Sequence, residues 1–460
     1  MKAILPVLDD SRKKPYYLQL YDYIRDAITK GDILEGEKLP SLRNLAKSTG
    51  LSITTVEQCY NQLLVEGYIY SKAQSGYYVG RVFAHSGKTV PAQKEIFVPQ
   101  VFDMQNALPS ADSHKVYDPG CFDFNKWKKC MNKVLTDLSS VLFFEGDPQG
   151  EAVLRAEIAK YLYLSRGVSA DPQQIIIGAG TQQITNHLST ILKKIGIEHV
   201  ALEDPGYLPV RNIFRDRGFA ITDVPVSDDG LVIEKLPANI RTAAYVSPSN
   251  NAFTGAVMPA GRRYELLSWA SENGSYIIED DYDSELRYFG KPVPALKSLE
   301  TDDRVIYLGS FSSTLFAAVK ISYMVLPSEM AKLFSDMAGD YSQTCSKLEQ
   351  LTLAMFMETG NYQTHIKKLR KLYSQKLTTV TETLSEAASD FIQVRNTSSG
   401  MNVILKVSSP KDPSVLKKEA ESLGLHVSFL EGDLFIFYYN QLPLADIPDL
   451  LEALAALWRK

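Results

Sequence analysis

Apolar residues near the start of the chain recur at the spacing of an α-helix. In YYLQLYDYIRDAITKG the side chains of Leu20, Ile24, Ala27 and Ile28 fall on one helical face, because residues three and four positions apart lie one above the other along a helix. Gly31 follows as a residue typical of a helix end. The pattern therefore predicts a first amphipathic helix that packs against other elements through this face.

Two further helical patterns follow, joined by a short turn that contains glycine. LPSLRNLAKSTG predicts a short helix that ends at Gly50, and LSITTVEQCYNQLLVEGY predicts another that begins after Ser52. Two short helices joined in this way form a helix-turn-helix. After Gly67, YIYSKAQSGYYVG alternates and turns at residues 74–76, which predicts a two-stranded wing. A generic three-helix packing unit is the alternative interpretation of this pattern.

The next segment has no periodic pattern. Residues 82–104, VFAHSGKTVPAQKEIFVPQVFDM, contain Pro91 and Pro99 and are typical of a linker. The sequence thus predicts a helix-turn-helix domain at residues 11–81, a linker at 82–104 and a second domain at 105–460.

Within the second domain, helical segments alternate with β-branched ones. A strand is predicted at residues 175–177, followed by a glycine-rich turn and a helix whose start contains Gly180, Thr181 and Gln182. Such a turn presents backbone N–H groups to an anion. Later strands also end in polar segments, namely EDPGY, SPSNNAFTG, EDDYD and GSFSS. The alternation predicts an α/β fold with a mostly parallel sheet, whose crevice lies at the carboxyl ends of the strands.

Composition indicates the class of protein. A chain of 460 residues with 45% hydrophobic and 22% charged residues is long enough for two or three globular domains. No window reaches the ~18 uncharged apolar residues of a membrane span, and the first residues do not form a signal peptide. Four widely spaced cysteines suggest neither a disulfide framework nor a metal site. We therefore expect a cytoplasmic protein with no membrane contact and no bound metal.

The helix-turn-helix segment carries a family resemblance. GEKLPSLRNLAKSTGLSITTVEQCYNQLLVEGYIYSKAQSGYYV resembles the winged helix of the GntR family of bacterial transcription regulators, and the likeness covers residues 11–81. It implies binding to a double-stranded DNA operator, with the second helix of the motif in the major groove. Arg43 matches the family's DNA-contacting arginine, whose guanidinium can grip a phosphate or a guanine edge. The other implied DNA contacts are Ser41, Ser52, Thr54, Thr55, Gln74 and Gly76. Ile53 and Glu57 depart from the family pattern, so the resemblance does not predict which operator sequence this chain binds.

The rest of the chain resembles another family. Residues 105–460 are similar to a fold-type I pyridoxal-phosphate aminotransferase domain, with a smaller C-terminal α+β subdomain from about residue 345, and the fusion resembles the MocR subfamily of regulators. The resemblance implies that Asp280 pairs with the cofactor ring nitrogen, Tyr282 contacts its phenolic oxygen and Tyr207 stacks on the ring. The implied phosphate contacts are Gly180, Thr181, Gln182, Ser310 and Lys320. Taken singly, Asp280 could be a solvated strand end, Tyr207 a core aromatic residue and the Thr-Gln pair a helix cap, whereas their joint order favours a site.

Ser313 departs from this second family. It stands where the family has the lysine that bonds to the cofactor aldehyde, and a hydroxyl can neither form an imine nor shuttle the proton that amino transfer requires. Lys320 replaces the usual phosphate-binding arginine, and Glu145 stands where tyrosine is common. HVSFLEGDLFIFYYNQLPLADI offers no arginine for a substrate carboxylate, although Arg395 lies earlier in the domain.

The sequence therefore predicts a DNA-binding transcription regulator whose aminotransferase-like domain senses a ligand and dimerises without catalysis. Pyridoxal 5′-phosphate or a derivative would be held non-covalently if it binds at all, and the effector would be a related compound or an amino acid. We expect a homodimer, because a fold-type I domain usually builds its cleft between two subunits. Two alternatives stay open: a functional aminotransferase with a fused DNA-binding module, and a scaffold domain with an empty cleft.

Overall fold

The computed structural model describes residues 14–81, 119–288, 293–397 and 400–459, and the predicted linker at 82–104 lies outside them. The chain divides into two compact units, with the first described range in one and the remaining ranges in the other. Each unit has its own hydrophobic core. The domain boundaries proposed from the sequence stay predictions.

The first unit is a winged helix-turn-helix. Its elements are α1 (Tyr16–Thr29), α2 (Leu42–Thr49), α3 (Ile53–Val65), β1 (Ile69–Lys72) and β2 (Gly76–Val79). Helices α2 and α3 each begin after a serine whose side chain accepts a hydrogen bond from a backbone N–H of the first turn, as N-cap serines do. The two strands pair antiparallel, so they form the wing that the alternating pattern predicts.

The core of this unit lies between α1 and α3. Leu20 and Ile24 of α1 and Val56 and Leu63 of α3 are fully buried, at the four- and seven-residue spacings that keep side chains on one face of a helix. Tyr60 is also buried, and its hydroxyl donates to the Pro40 carbonyl at 2.9 Å. This bond joins α3 to the segment before α2.

The second unit is built on an eight-stranded sheet in the order β3-β10-β9-β8-β7-β4-β5-β6. Its strands are β3 (Ile175–Gly178), β4 (His199–Asp204), β5 (Ala220–Ser227), β6 (Gly230–Leu231), β7 (Thr242–Val246), β8 (Tyr276–Asp280), β9 (Val305–Ser310) and β10 (Ser322–Val325). The central pairs from β5 to β9 are parallel, which confirms a mostly parallel α/β sheet. Central strands such as β7 are buried along their whole length, as expected when helices cover both faces.

Strand β10 runs antiparallel to both of its neighbours. It lies between β3 and β9, and the register places Ser322 opposite Gly178 on one side and Ser310 on the other. Gly178 therefore lies close to Ser310 and Ser322, which come much later in the sequence.

Helices cover both faces of this sheet. They are α4 (Phe124–Asp137), α5 (Ala152–Arg166), α6 (Thr181–Lys194), α7 (Leu208–Asp216), α8 (Ala260–Glu272), α9 (Leu296–Leu299), α10 (Ser328–Ala338) and α11 (Lys347–Glu358). In β3, Ile175 and Ile177 join the core that contains Ile158 of α5, whereas Ile176 joins the core that contains Leu188 of α6. Successive side chains of the strand thus serve opposite faces.

A smaller antiparallel sheet follows the long helix α12 (Asn361–Ala388). Its order is β11-β12-β14-β13, formed by β11 (Ile392–Arg395), β12 (Val403–Val407), β13 (Val427–Phe429) and β14 (Leu434–Phe437), and it packs with α13 (Pro413–Ser422) and α14 (Ile447–Arg459). None of the helices in the described ranges combines the length and apolar character of a membrane span.

Candidate functional site

A cleft of about 580 Å³ opens at the carboxyl ends of β4, β7, β8 and β9. Side chains of the smaller sheet and its flanking turns complete the lining. The lining includes all the residues predicted around the cofactor, namely Gly180, Thr181, Gln182, Tyr207, Asp280, Tyr282, Ser310, Ser313 and Lys320. The tertiary structure therefore brings this set together at the predicted edge of the sheet.

One end of the cleft is formed by the start of α6. The first N–H groups of a helix have no partner inside the helix, so they are available to an anion. Gly180 precedes the helix with φ +87°, a left-handed conformation that favours glycine. A Cβ at this position would lie 3.9 Å from Cδ of Lys320, which places the lysine chain beside the helix start.

Ser310 is oriented by its neighbours at the same end. Its Oγ accepts hydrogen bonds from Ser322 Oγ at 3.0 Å and from the backbone N–H of Ser312 at 3.3 Å. A hydroxyl accepts two hydrogen bonds and donates one. Both acceptor positions of Ser310 are therefore occupied, and its proton is left for an oxygen in the cleft.

Lys320 is the one cation among the described residues that line the cleft. It is exposed and adopts φ +47°, which is uncommon for a residue with a side chain. Together with Ser310 and the start of α6, it makes this region suited to a phosphate. We name this region, formed by Gly180, Thr181, Gln182, Ser310 and Lys320, the anion end.

Asp280 lies at the last position of β8 and is buried. Tyr245 donates a hydrogen bond to its Oδ2, and burial raises the pKa of Asp280 to about 6. The carboxylate thus has one oxygen engaged by protein and faces the cleft near Tyr207. The Tyr207 side chain is 44% exposed, so it has room to contact a ligand.

Glu203 is a lining residue that the sequence reasoning missed. Its carboxyl accepts a hydrogen bond from the Ser247 N–H at 3.2 Å and another from Asn251 Nδ2 at 2.9 Å. Burial raises the pKa of Glu203 to about 7. Asn251 also accepts from the N–H groups of Phe253 and Thr254, so this pair fixes the loop after β7. The polar segment SPSNNAFTG was the sequence signal for this loop.

Ser313 lies beside Tyr282 in the cleft. Its hydroxyl donates to the Tyr282 carbonyl at 2.6 Å, and the Tyr282 hydroxyl lies 3.5 Å from the Asn250 carbonyl. Because a carbonyl can only accept, the Ser313 proton is committed to Tyr282. The lone pairs of Ser313 Oγ are the part of this side chain that a ligand can meet.

The sequence reasoning also missed the wall that the smaller sheet contributes to the cleft. This wall consists of Ile436 of β14, Tyr438 directly after that strand, and Met401 and Asn402 directly before β12. Glu145 and Arg395 are absent from the described lining of the cleft. The wall is therefore apolar or uncharged, and FIFYY in the sequence was its only signal.

The predicted DNA contacts lie on the first unit. Arg43 and Thr54 are exposed on α2 and at the start of α3. Ser41 accepts from the Asn44 N–H at 3.3 Å, and Ser52 accepts from the Thr55 N–H at 3.1 Å. These two serines therefore cap helices, so their hydroxyl oxygens already serve the fold.

The wing carries cations that the sequence reasoning did not single out. Gln74 and Gly76, with φ of +61° and +112°, shape its turn. Lys72 Nζ lies 4.8 Å from the centre of the Tyr78 ring, and Lys38 Nζ lies 5.9 Å from the same centre. Cations over one aromatic ring form a positive surface of the kind that attracts DNA phosphates.

A winged helix-turn-helix and an aminotransferase-type cleft in one chain define a transcription regulator built on an aminotransferase fold. Residues 117–431 match the family "Aminotransferase class I and II", and residues 16–79 match "Bacterial regulatory proteins, gntR family". The chain belongs to the first family through its second unit and carries the GntR helix-turn-helix in its first.

Curated relatives have the same two-part organisation. The chain is 39% identical to the uncharacterized HTH-type transcriptional regulator YdeL of Bacillus subtilis, over 92% of this chain and 91% of the relative. It is 29% identical to the probable rhizopine catabolism regulatory protein MocR of Rhizobium meliloti, over 93% of this chain and 89% of the relative. It is 30% identical to the pyridoxine biosynthesis regulator PdxR of Corynebacterium glutamicum, over 94% of this chain and 91% of the relative. The chain thus belongs to the MocR-like helix-turn-helix transcription regulators.

A solved structure shares the fold of the second unit. Kynurenine aminotransferase of Pyrococcus horikoshii superposes with a TM-score of 0.64 at 21% identity, covering 79% of this chain and 96% of that one. The family is pyridoxal-phosphate dependent, and the donor set of the cleft fits that cofactor. Hydroxyls, helix N–H groups and an ammonium suit its phosphate, and a buried carboxylate suits its ring nitrogen.

Proposed function

We propose that this transcription regulator responds to a phosphopyridoxyl ligand that its cleft holds without a covalent bond. The observation that carries the proposal is the position of Ser313: it lines the same cleft as the anion end and Asp280, but it has no amine. Pyridoxal phosphate supplies an aldehyde and an electron-accepting ring when it binds. A site that retains contacts to phosphate and ring but lacks the amine would bind the ligand reversibly, as a sensor requires.

The expected affinity follows from the groups that remain. Charge-assisted hydrogen bonds from Lys320 and to Asp280 contribute roughly 1.5–3 kcal/mol each, and stacking on Tyr207 contributes about 0.5–1.5 kcal/mol. A micromolar dissociation constant corresponds to about 8 kcal/mol. Several of these contacts must therefore act together, in a cleft that is already formed before binding.

The names of the relatives give independent support for a small-molecule effector. PdxR is named as a regulator of pyridoxine biosynthesis, and pyridoxine has the same substituted pyridine ring as a phosphopyridoxyl group. MocR is named as a probable regulator of rhizopine catabolism. Such names favour regulation by small molecules in proteins of this organisation, and the donor set of the cleft favours the phosphorylated pyridoxyl class for this chain.

We further propose that the protein acts as a homodimer on double-stranded DNA in the cytoplasm. Two helix-turn-helix units brought together would read paired half-sites of an operator. In support of an interface between copies, the adjacent side chains of Phe143 and Phe144 are 91% and 70% exposed, which is costly for two large aromatic residues unless a partner covers them. Light scattering of the full chain should give twice the mass of one chain, and a monomeric mass would contradict the dimer.

The main experiment combines a spectrum with DNA binding. Full-length protein is mixed with pyridoxal phosphate and passed through a gel-filtration column, and operator binding is titrated by anisotropy with and without ligand. We expect protein-associated absorbance that dialysis removes, together with a ligand-dependent change in DNA affinity. If calorimetry detects no heat of binding and the unfolding temperature does not shift at millimolar ligand, the proposal is wrong and the cleft is only a scaffold. Amino transfer by the unmodified protein would instead identify an enzyme.

A further inference from the structure

The hydroxyl of Ser313 offers a ligand one kind of contact. Its proton is held by the Tyr282 carbonyl at 2.6 Å, so only the oxygen lone pairs face the cleft. An oxygen that can only accept favours a ligand with an N–H donor at this point, such as an ammonium group. An aldehyde oxygen would bring a second acceptor against it, and the two would repel.

The charges that surround this point favour the same ligand group. Two carboxyl side chains, Glu203 and Asp280, line the cleft, and Lys320 is the one cation in its described lining. Lys320 lies beside the start of α6, where the phosphate contacts are, as its 3.9 Å approach to Gly180 indicates. If the ligand phosphate occupies Lys320, a second anionic group on the ligand would lie near the carboxyl groups of Glu203 and Asp280, with no other cation in the described lining to pair with.

The wall that the smaller sheet contributes to the cleft offers no ionic partner to a carboxylate. Phe435 and Phe437 belong to the core of the smaller sheet, so the alternation of β14 turns Ile436 to the other face, where it lines the cleft with Tyr438 and Met401. The polar groups here are the uncharged Tyr438 hydroxyl and the amide of Asn402, which already donates from Nδ2 to the Ala252 carbonyl at 3.2 Å. A carboxylate buried here would lose its hydration without gaining an ionic partner.

We propose that the ligand is a phosphopyridoxyl amine with no carboxylate on its nitrogen substituent, of which pyridoxamine 5′-phosphate is the simplest. This inference rests on the proposed function, because it narrows the ligand class of the same cleft. Ser313 Oγ accepts a hydrogen bond from the protonated amine. The apolar wall has room for a hydrogen atom or an alkyl substituent on that nitrogen. The cleft thus distinguishes an aminated ligand from an aldehyde and an amine from an amino acid.

The first test compares two ligands that differ only in the amine. Calorimetry on the full chain measures the dissociation constants of pyridoxamine 5′-phosphate and of 4′-deoxypyridoxine 5′-phosphate. We expect the amine to bind about tenfold more tightly, because a tenfold ratio of dissociation constants corresponds to the free energy of one charge-assisted hydrogen bond. Ser313→Ala should remove most of this difference, whereas Ser312→Ala, which changes the neighbouring hydroxyl, should leave the ratio of the two constants unchanged. Equal affinities in the wild type, or a ratio that survives Ser313→Ala, would refute the role of Ser313.

The second test compares two ligands that differ only in the carboxylate. N-(5′-phosphopyridoxyl)-L-leucine is titrated beside its counterpart with 3-methylbutylamine, which has the same alkyl chain. We expect the carboxylate to weaken binding about tenfold or more. Ile436→Arg should reverse this order and Ile436→Leu should keep it, and the wild-type comparison decides the matter if the arginine variant does not fold.

The outcomes separate this inference from the proposed function. If none of the four compounds binds, the cleft is not a phosphopyridoxyl site and both ideas fail. If all four bind with equal affinity, the proposed function stands and the inference about the amine and the carboxylate is wrong. If the leucine compound binds more tightly than its counterpart, the ligand is an amino-acid derivative, which also overturns the inference.

Discussion

The two sides of the cleft differ in what they have kept of an aminotransferase-type site. The anion end has a helix start, an oriented hydroxyl at Ser310 and the cation of Lys320, and Asp280 adds a buried carboxylate nearby. The rest of the described lining has Ser313 and an apolar wall at Ile436, and it contains no second amine and no arginine. The difference teaches that the groups that hold a cofactor and the groups that act on a substrate are separate sets. A protein that loses the second set can keep the first.

A second contrast separates the cleft from the DNA-binding unit. Asp280 is buried, so the proposed ligand would meet it in a shielded site, whereas Arg43 is exposed, so the proposed DNA contact would form in water. Buried charges respond to pH through shifted pKa values, and exposed charges respond to salt through screening. Ligand binding and DNA binding by one chain should therefore depend on different solution conditions.

Ser313→Lys should have the largest effect on ligand binding, because it introduces an amine at the position where the family resemblance places the cofactor-bonding lysine. We expect pyridoxal phosphate to become covalently attached, with absorbance that dialysis no longer removes. Borohydride reduction followed by peptide mass spectrometry should place the added mass on residue 313. Ser312→Lys is the matched control, with lysine one position away. Labelling that prefers position 312 would show that Ser313 does not occupy the reacting position.

Asp280→Ala should weaken phosphopyridoxyl binding by about 10- to 100-fold, the loss of one charge-assisted hydrogen bond. Tyr245→Phe, which removes only the hydrogen bond to the carboxylate, should have a smaller effect. The measurement is calorimetric titration, with thermal unfolding as a check that the variants fold. An unchanged dissociation constant for Asp280→Ala would exclude this carboxylate from the ligand contacts.

The same carboxylate gives binding a pH dependence. The pKa of Asp280 is raised to about 6 by burial, so below that pH the free protein holds a proton that a protonated ring nitrogen would have to displace. Affinity should therefore fall as the pH drops from 7 to 5. The Asp280→Ala variant should lose this dependence, apart from the titration of the ligand itself.

Arg43→Ala should weaken operator binding roughly tenfold, and the slope of log affinity against log salt should decrease by about 1 if the contact is to a phosphate. Arg25→Ala is the matched control in the same unit, because Arg25 is paired with Asp26 on α1 at 2.7 Å. Anisotropy titrations at several salt concentrations provide the measurement. Equal losses for the two variants would mean that overall charge, and not the position of Arg43, controls DNA affinity.

Glu203→Gln should have the smallest effect, a shift of a few degrees in the unfolding temperature that depends on pH. The pKa of Glu203 is raised to about 7 in the folded protein, against 4.5 as its ordinary value. Between these values the folded state binds more protons than the unfolded state, so wild-type stability falls as the pH rises through this window. The stability of the variant relative to wild type should therefore increase from pH 5 to 7. A difference that stays constant over this range would contradict the shifted pKa.

Much of the fold was predictable because local patterns agree with the final structure. The faces of α1 and α3, the serine caps at Ser41 and Ser52 and the turn of the wing involve residues within a few positions of one another. The polar residues after the strands were predictable for a similar reason, because parallel strands end at one edge of a sheet. The wall at Ile436 was missed because an apolar residue in a strand looks the same whether it faces a core or a cleft.

The sequence by itself determined the helix-turn-helix, the alternating α/β order and the residue types at the strand ends, since each depends on spacing along the chain. The tertiary structure decided which of these residues meet. Strand β10 lies antiparallel between β3 and β9 and places Ser322 against Ser310, and the smaller sheet brings Ile436 to the same cleft. It also decided that the Ser313 proton goes to Tyr282 and that Tyr245 contacts Asp280. Contacts between residues distant in sequence depend on sheet order and register, which no local pattern encodes.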